Sequence, residues 1–348
     1  MPKKIKLLNK NKCFIIAEAG ANHNGDINKA IKLAFYAKKS GADAVKFQLF
    51  NVDEQVSKDT KTAPYQNKNK KNILMKNLAK TFDLEWKEHI KIKKYCDKIG
   101  IHYLASVFDK HACNFLISKI KINIIKIGSG EITNYPLLQY ISLKAKIIIL
   151  STGMATFKEI EEALKIIKVH SKNKCKVILM HCISSYPSDD EILNLNVINT
   201  LKDRFDLHVG FSDHSIGSRA AVIAKTLGSL VIEKHFTLNK KMKGPDHFMS
   251  LSPKELSEYV NEIRLTEAIL GDGKNKMSKK ELNMIQFARR SVVAKNNLKK
   301  GTKIKKEDLT LKRPGNGIQP KDIKLLIGKK VKKNIREDSI IKWNYIVN

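Results

Sequence analysis

Two lysines stand where a cation is costly. Lys46 lies inside the apolar run AVKFQL and Lys126 inside IIKIGSGE, and a buried ammonium there needs an anion, a carboxylate partner or a lost proton. Three chemistries remain open for them: anion binding, a Schiff-base nucleophile, or a structural ion pair. Small residues and hydroxyls come directly after apolar runs at GSGE (128–131) and STGM (151–154), which leaves backbone N–H groups free to approach a phosphate. His214 in GFSDHS and His235 in VIEKHFT end two further runs. Two imidazoles from neighbouring strands suit a divalent ion that keeps water and substrate oxygens better than a closed structural zinc site. Glu18, Asn22, His23, Gln48, Ser106, Thr152, His181, Ser212, Asp213 and Glu233 complete the polar set. The sum is an enzyme pocket for a phosphorylated, carboxylated small molecule beside a metal.

Such a set must be gathered by the fold. Eight short runs rich in Ile, Val and Leu recur: Phe14–Ala19, Ala44–Leu49, Ile101–Phe108, Ile124–Gly128, Lys146–Ser151, Val177–Cys182, Leu207–Phe211 and Leu230–Phe236. Amphipathic segments follow them, the alternation of βα units. Eight strands buried on both faces across about 250 residues predict an α/β fold, a closed (β/α)8 barrel with its active site at the C-terminal strand ends. An open doubly wound sheet is the alternative. Helices are predicted at Ile27–Ser40, ending at Gly41, at Leu84–Ile99, ending at Gly100, and at Phe157–His170 after an N-cap at Thr156. The polar stretch from Phe50 to Phe82, containing KTAPYQNKNKKN, is too long for a plain βα loop and reads as a lid or an insertion.

The barrel domain is placed at 1–275, with its last helix at Pro253–Leu270. GDGKNKMSKKE then opens a linker, placed at 276–290, and the remaining 291–348 reads as a small β-rich domain of short runs such as SVVA and LTLKRPG. Composition sets the class. With 348 residues and 42% apolar content the chain supports a full core, which excludes disorder, collagen and coiled coil. The 66 Lys+Arg against 34 Asp+Glu give a net charge of +32, yet Arg occurs only at 204, 219, 264, 289, 290, 313 and 336. Nucleic-acid readers rely on Arg beside aromatics, so the charge reads as Lys-coated solvated helices and no specific nucleic acid is expected. Five cysteines without CxxC spacing predict reduced thiols. No run approaches a membrane span, and the N-terminal apolar stretch Cys13–Ala17 is too short for a signal peptide. A cytoplasmic protein is expected.

The segments IIAEAGANHNGD, GADAVKFQ, IIKIGSGEITNYPLL, IILSTGMAT, VILMHCISSYP, VGFSDHS and VIEKHFTLNKKMKGPDH, in this order, resemble the sialic acid synthase family, which makes N-acetylneuraminate or N,N'-diacetyllegionaminate. The tail SVVAKNNLKKGTKIKKEDLTLKRPGNGI is similar to that family's antifreeze-like (SAF) domain. The resemblance implies a TIM barrel with a SAF domain and a Mn²⁺- or Mg²⁺-dependent condensation of phosphoenolpyruvate with an N-acetylmannosamine-type sugar, giving a nine-carbon 2-keto acid and phosphate. Lys46, Ser106, Lys126, Ser129, Ser151 and Ser212 would hold phosphoenolpyruvate, and His214 and His235 the metal. Glu18, Tyr186 and Asp246 match sugar contacts, and Glu131 a carboxylate near the reacting centre, so Glu18, Lys46, Lys126 and Glu131 form the expected catalytic set. Arg313 matches an arginine supplied by the second copy of a domain-swapped homodimer.

The chain also departs from that pattern. LASVFD puts Ser106 and Val107 where the family has Thr and Pro. Ser184 stands where sialic acid makers carry Asn and legionaminic acid makers Glu, and the residues around Arg289 replace an aromatic. Together with KTAPYQ and GPDH these features lean toward a legionaminate-type synthase. A pseudaminate synthase and a Schiff-base aldolase on the same barrel are the alternatives.

Overall fold

The computed structural model describes residues 12–62 and 74–347; most of KTAPYQNKNKKN lies outside them. Elements follow in the order β1 (Phe14–Gly20), α1 (Ile27–Lys39), β2 (Ala44–Leu49), α2 (Val52–Gln55), α3 (Met75–Lys80), α4 (Trp86–Ile99), β3 (His102–Val107), α5 (Lys110–Ser118) and β4 (Ile124–Ile127). Then come α6 (Tyr135–Ser142), β5 (Ile147–Ser151), α7 (Phe157–His170), β6 (Lys176–His181), α8 (Val197–Phe205), β7 (His208–Asp213), α9 (Arg219–Thr226), β8 (Val231–His235) and α10 (Pro253–Leu270). All eight expected runs form strands. Each is parallel to its neighbours, and β1 pairs with both β2 and β8, so the sheet closes into a barrel and the open alternative falls. Parallel closure brings every strand's C-terminal end to one face, where the chemistry-bearing residues cluster.

Local sequence explains the element ends. Thr156 caps α7 in a reciprocal box with Glu159, while Ile160, Ala163 and Ile167 turn one face into the core. Gly100 ends α4 in the left-handed region at φ 72°, which costs glycine nothing. Asp43 accepts from Ile15 N and from Arg264, which also pairs with Glu267 and donates to the Cys13 carbonyl. This rare arginine therefore fastens α10 to the start of β1, the stability end of a barrel.

His89 on α4 is fully buried and shares a 2.8 Å hydrogen bond with the Tyr103 hydroxyl. Burial holds its pKa down at about 4. An unfolded chain takes up this proton below about pH 6.5, so the stabilising contribution is complete above that value and is lost as pH falls toward 4. The loss should reach about 3 kcal/mol at pH 4, at one proton per molecule. In urea unfolding between pH 4 and 6.5, His89→Gln should show a pH slope shallower by up to one proton. An unchanged slope would remove His89 from the acid response.

The chain divides into two compact units between Asp272 and Gly273. Within the segment read as linker, α11 (Lys279–Ala288) forms a helix capped by a Ser278–Glu281 box. β9 (Ser291–Ala294) and β10 (Leu309–Lys312) pair antiparallel, and single bridges such as Val293–Ile340 and Leu298–Ile335 extend the β structure. Val292, Ile304, Ile318, Leu326, Val331 and Ile341 form this unit's own core.

Candidate active site

The barrel interior holds two lysines and two carboxylates. Register places Glu18 opposite both Lys46 and His235, Ser106 opposite Lys126, and Ser212 opposite Glu233. Lys46 Nζ lies 2.8 Å from Glu18 Oε2 and 3.6 Å from Glu233 Oε2, and it donates to Ser106 Oγ at 2.8 Å. Lys126 Nζ donates to Ser151 Oγ at 2.6 Å and to the Ile127 carbonyl at 3.3 Å, and lies 3.8 Å from Glu233 Oε1. Both lysines are thus ion-paired within the barrel, and Glu233 is shared between them. Sequence reading finds Glu233 at a strand end but assigns it no role.

Burial and charge compete in this cluster. Burial pushes the Glu18 carboxyl up to about 7, with Lys46 opposing. For Glu233 the burial penalty is outweighed by Lys126 and Lys46, which hold it below the usual carboxylate range. Lys46 is also penalised by burial, but Glu18 and Glu233 raise it overall. Burial dominates at Lys126 and lowers it despite Glu233. An anion arriving beside Lys126 would offset that desolvation, so the site gains from a phosphate or carboxylate.

Beside the lysines, Ser129 Oγ accepts from Gly153 N at 3.0 Å and lies 3.2 Å from Cys182 Sγ. A Cβ on Gly153 would sit 2.5 Å from Ser184 Oγ, 2.9 Å from Ser129 Oγ and 3.0 Å from Cys182 Sγ. Rotating those side-chain tips makes room without unfolding the strand end, so Gly153→Ala should fold normally yet turn the hydroxyls away. A fall in kcat/KM of about 10- to 100-fold is expected, equivalent to about 1.4–2.7 kcal/mol of lost transition-state stabilisation from the displaced hydroxyls. Adding Ser184→Gly removes the nearest clash and should recover part of it. Unchanged kinetics in the single variant would show that this cradle does not face substrate.

The third group lies at the strand ends. His214 shares its Nδ1 hydrogen with the Ile183 carbonyl at 2.7 Å, and its Nε2 lies 3.5 Å from Ser212 Oγ. The His214 and His235 rings are 5.8 Å apart, and Tyr186 packs 4.2 Å from His214 and 6.3 Å from His235. His235 Nδ1 is shielded from solvent, makes no hydrogen bond and lies 3.9 Å from Asp246 Oδ2. Burial keeps both imidazoles below their ordinary range and pushes Asp246 up to about 6. Neutral rings with an orphaned buried nitrogen fit a divalent ion. Among the described residues no three His, Cys, Asp or Glu converge, so such an ion would keep exogenous oxygens.

Glu131 follows β4 in a short helical turn and accepts from Asn134 Nδ2 at 2.7 Å. Arg313 is exposed and belongs to the second unit. The five cysteines are free thiols, and no helix among the described residues is long and apolar enough to cross a membrane.

Comparison with known proteins gives two family matches, the NeuB family over residues 31–275 and the SAF domain over 289–347. The chain is 43% identical to the N,N'-diacetyllegionaminic acid synthase of Campylobacter jejuni, covering 95% of this chain and 99% of that protein. It is 40% identical to the enzyme of the same name from Legionella pneumophila, over 96% and 94%. A crystal structure of N-acetylneuraminic acid synthetase from Leptospira borgpetersenii, in complex with citrate, superposes with a TM-score of 0.70 at 36% identity, over 82% of this chain and 94% of that one.

Proposed function

Because the chain belongs to the NeuB family and carries a SAF domain, we propose that it condenses phosphoenolpyruvate with an N-acetylmannosamine-type sugar to a nine-carbon 2-keto acid and phosphate, with N,N'-diacetyllegionaminate as the favoured product. The supporting observation is continuity between two chemistries. Ser212 Oγ donates to Glu233 Oε1 at 3.2 Å and lies 3.5 Å from His214 Nε2, so it links the lysine cluster to the imidazole pair. An anionic enol phosphate on one side and a sugar carbonyl on the other would then lie within bonding reach.

In this reading Lys46, Lys126, Ser106, Ser129, Ser151 and Ser212 hold the phosphate and carboxylate with fixed donors. The enol carbon attacks the aldehyde carbon of the open-chain sugar, water adds to the cationic carbon left behind, and phosphate leaves by C–O cleavage. Glu18, pushed up to about 7, is the buried carboxyl suited to pass a proton near neutrality. His214 and His235 would hold Mn²⁺ or Mg²⁺, which when bound supplies Lewis-acid polarisation of the aldehyde. Tyr186, Asp246 and Ser184 would contact the sugar, with Glu131 near the reacting centre. In this reading the reaction would run in the cytoplasm, where reduced thiols are the norm.

Purified protein is incubated with phosphoenolpyruvate, Mn²⁺ and either N-acetylmannosamine or its 2,4-diacetamido-trideoxy analogue, and phosphate release and product mass are read. Sugar-dependent phosphate with the diacetylated nine-carbon acid is expected. Borohydride trapping of a lysine adduct would instead support the Schiff-base aldolase, and silence with both sugars would defeat the proposed reaction.

The active form would be a homodimer in which Arg313 of one copy completes the other's sugar site. Arg313→Ala should raise the sugar KM about tenfold or more, the loss of one charge-assisted hydrogen bond. Co-assembled Arg313→Ala and Lys126→Met chains should contain one intact site per mixed dimer and regain turnover. Absence of complementation would place Arg313 in its own chain's site or in none.

A further inference from the structure

Along β7 and β8 the residues alternate in environment, as strand geometry requires. Ser212 and Glu233 meet the lysines, while their successors Asp213 and Lys234 meet α10. These two are register partners, and both are essentially solvent-free. Lys234 Nζ lies 3.1 Å from Asp213 Oδ2, which also accepts from Tyr259 OH at 2.9 Å. The other oxygen, Oδ1, accepts from Ser215 N at 2.9 Å and from Ser215 Oγ at 2.6 Å, and Lys234 Nζ donates to the Ser215 carbonyl. Every polar atom of Ser215, the residue after His214, is thus tied to one ion pair. The partners of that pair immediately precede His214 and His235.

We propose that the buried Asp213–Lys234 pair, with Tyr259, is a positioning device: it locks β7 against β8 and ties the turn after His214, so that the two imidazoles are presented at fixed spacing and His214 in a fixed tautomer. The proposal rests on the reading of His214 and His235 as the metal pair. A buried ion pair is weak evidence for stability, since apolar residues of similar volume often replace both partners at no loss. Its geometric yield is specific here. Asp213 holds the backbone on one side of His214, and the Ile183 carbonyl holds the ring at Nδ1, leaving Nε2 as the lone-pair donor. Groups that orient a ligating imidazole in this way act through the ring and touch no substrate.

Two variants test this. Asp213→Leu with Lys234→Met removes both charges together and avoids an unpaired buried ion, and Ser215→Ala deletes a single tie. In metal-free, ¹⁵N-histidine-labelled protein, wild-type His214 should show one tautomer with its proton on Nδ1. In the folded double variant it should exchange between tautomers, and its Mn²⁺ Kd, measured by the EPR signal of free Mn²⁺, should rise about tenfold or more. Ser215→Ala should shift both readouts in the same direction by less. Folded variants that keep the single tautomer and the wild-type Kd overturn the proposal. If the double variant fails to fold, Ser215→Ala decides alone, no change in either readout overturning it. If the wild type binds no Mn²⁺, the metal reading fails, while the tautomer comparison still decides the positioning role.

Discussion

Lys126→Met is expected to lower kcat/KM for phosphoenolpyruvate about 10²- to 10³-fold without loss of fold, the effect of deleting a charge-assisted donor from a dry site. The fold should survive because Met has similar length and no buried charge. Glu233 also keeps company after the substitution, since Lys46 lies 3.6 Å away and Ser212 still donates to it. Lys46→Met would be a poorer test, because Glu18 and Glu233 would then share a buried site with only Lys126 nearby. Burial lowers the Lys126 ammonium in the free protein. An incoming phosphate or carboxylate raises it again, and that differential is the binding energy the variant loses. Arginine should not rescue, since a forked guanidinium does not fit beside Ser151 Oγ, only 2.6 Å from the ammonium. Steady-state phosphate release, with kcat and KM separated, is the measurement. Turnover within tenfold of wild type would show that Lys126 is only Glu233's structural partner.

Much of this site was legible because its residues break a local pattern. Lys46 and Lys126 are conspicuous as charges inside Ile- and Val-rich runs, and the same runs predict strands because both faces of a parallel sheet are buried. The cap at Thr156 and the left-handed glycine at 100 mark helix ends for equally local reasons. Glu233 was harder to read, because its partners stand on β2, β4 and β7 and are brought to it only when the sheet closes. The Asp213–Lys234 pair is hidden for the same reason: register, not sequence spacing, makes these two neighbours. In the second unit the Lys-rich composition around 276–281 suggests a linker, yet Ser278 and Glu281 spell a capping box and the segment that follows is helical. Local hydrogen bonding, not composition, decides the structure there.

His235→Ala is expected to abolish Mn²⁺-dependent turnover, by about 10³-fold or more, while leaving the barrel intact. The ring sits at the C-terminal end of β8, at the mouth, and packs edge-on to Tyr186, so its removal opens space toward solvent and leaves no sealed core cavity. No hydrogen bond is lost at Nδ1, because that nitrogen makes none. A buried polar nitrogen without a partner is expensive to keep for stability alone, and here its ring lies 5.8 Å, ring to ring, from a second neutral imidazole. If the pair serves an ion, the variant should bind Mn²⁺ at least about 100-fold more weakly, and EDTA-treated wild type should reproduce its kinetics. If the nitrogen is merely tolerated, the variant should instead be more stable and fully active. Mn²⁺ titration, thermal unfolding and phosphate release on one preparation separate the two, and full Mn²⁺-dependent activity in the variant would end the metal assignment.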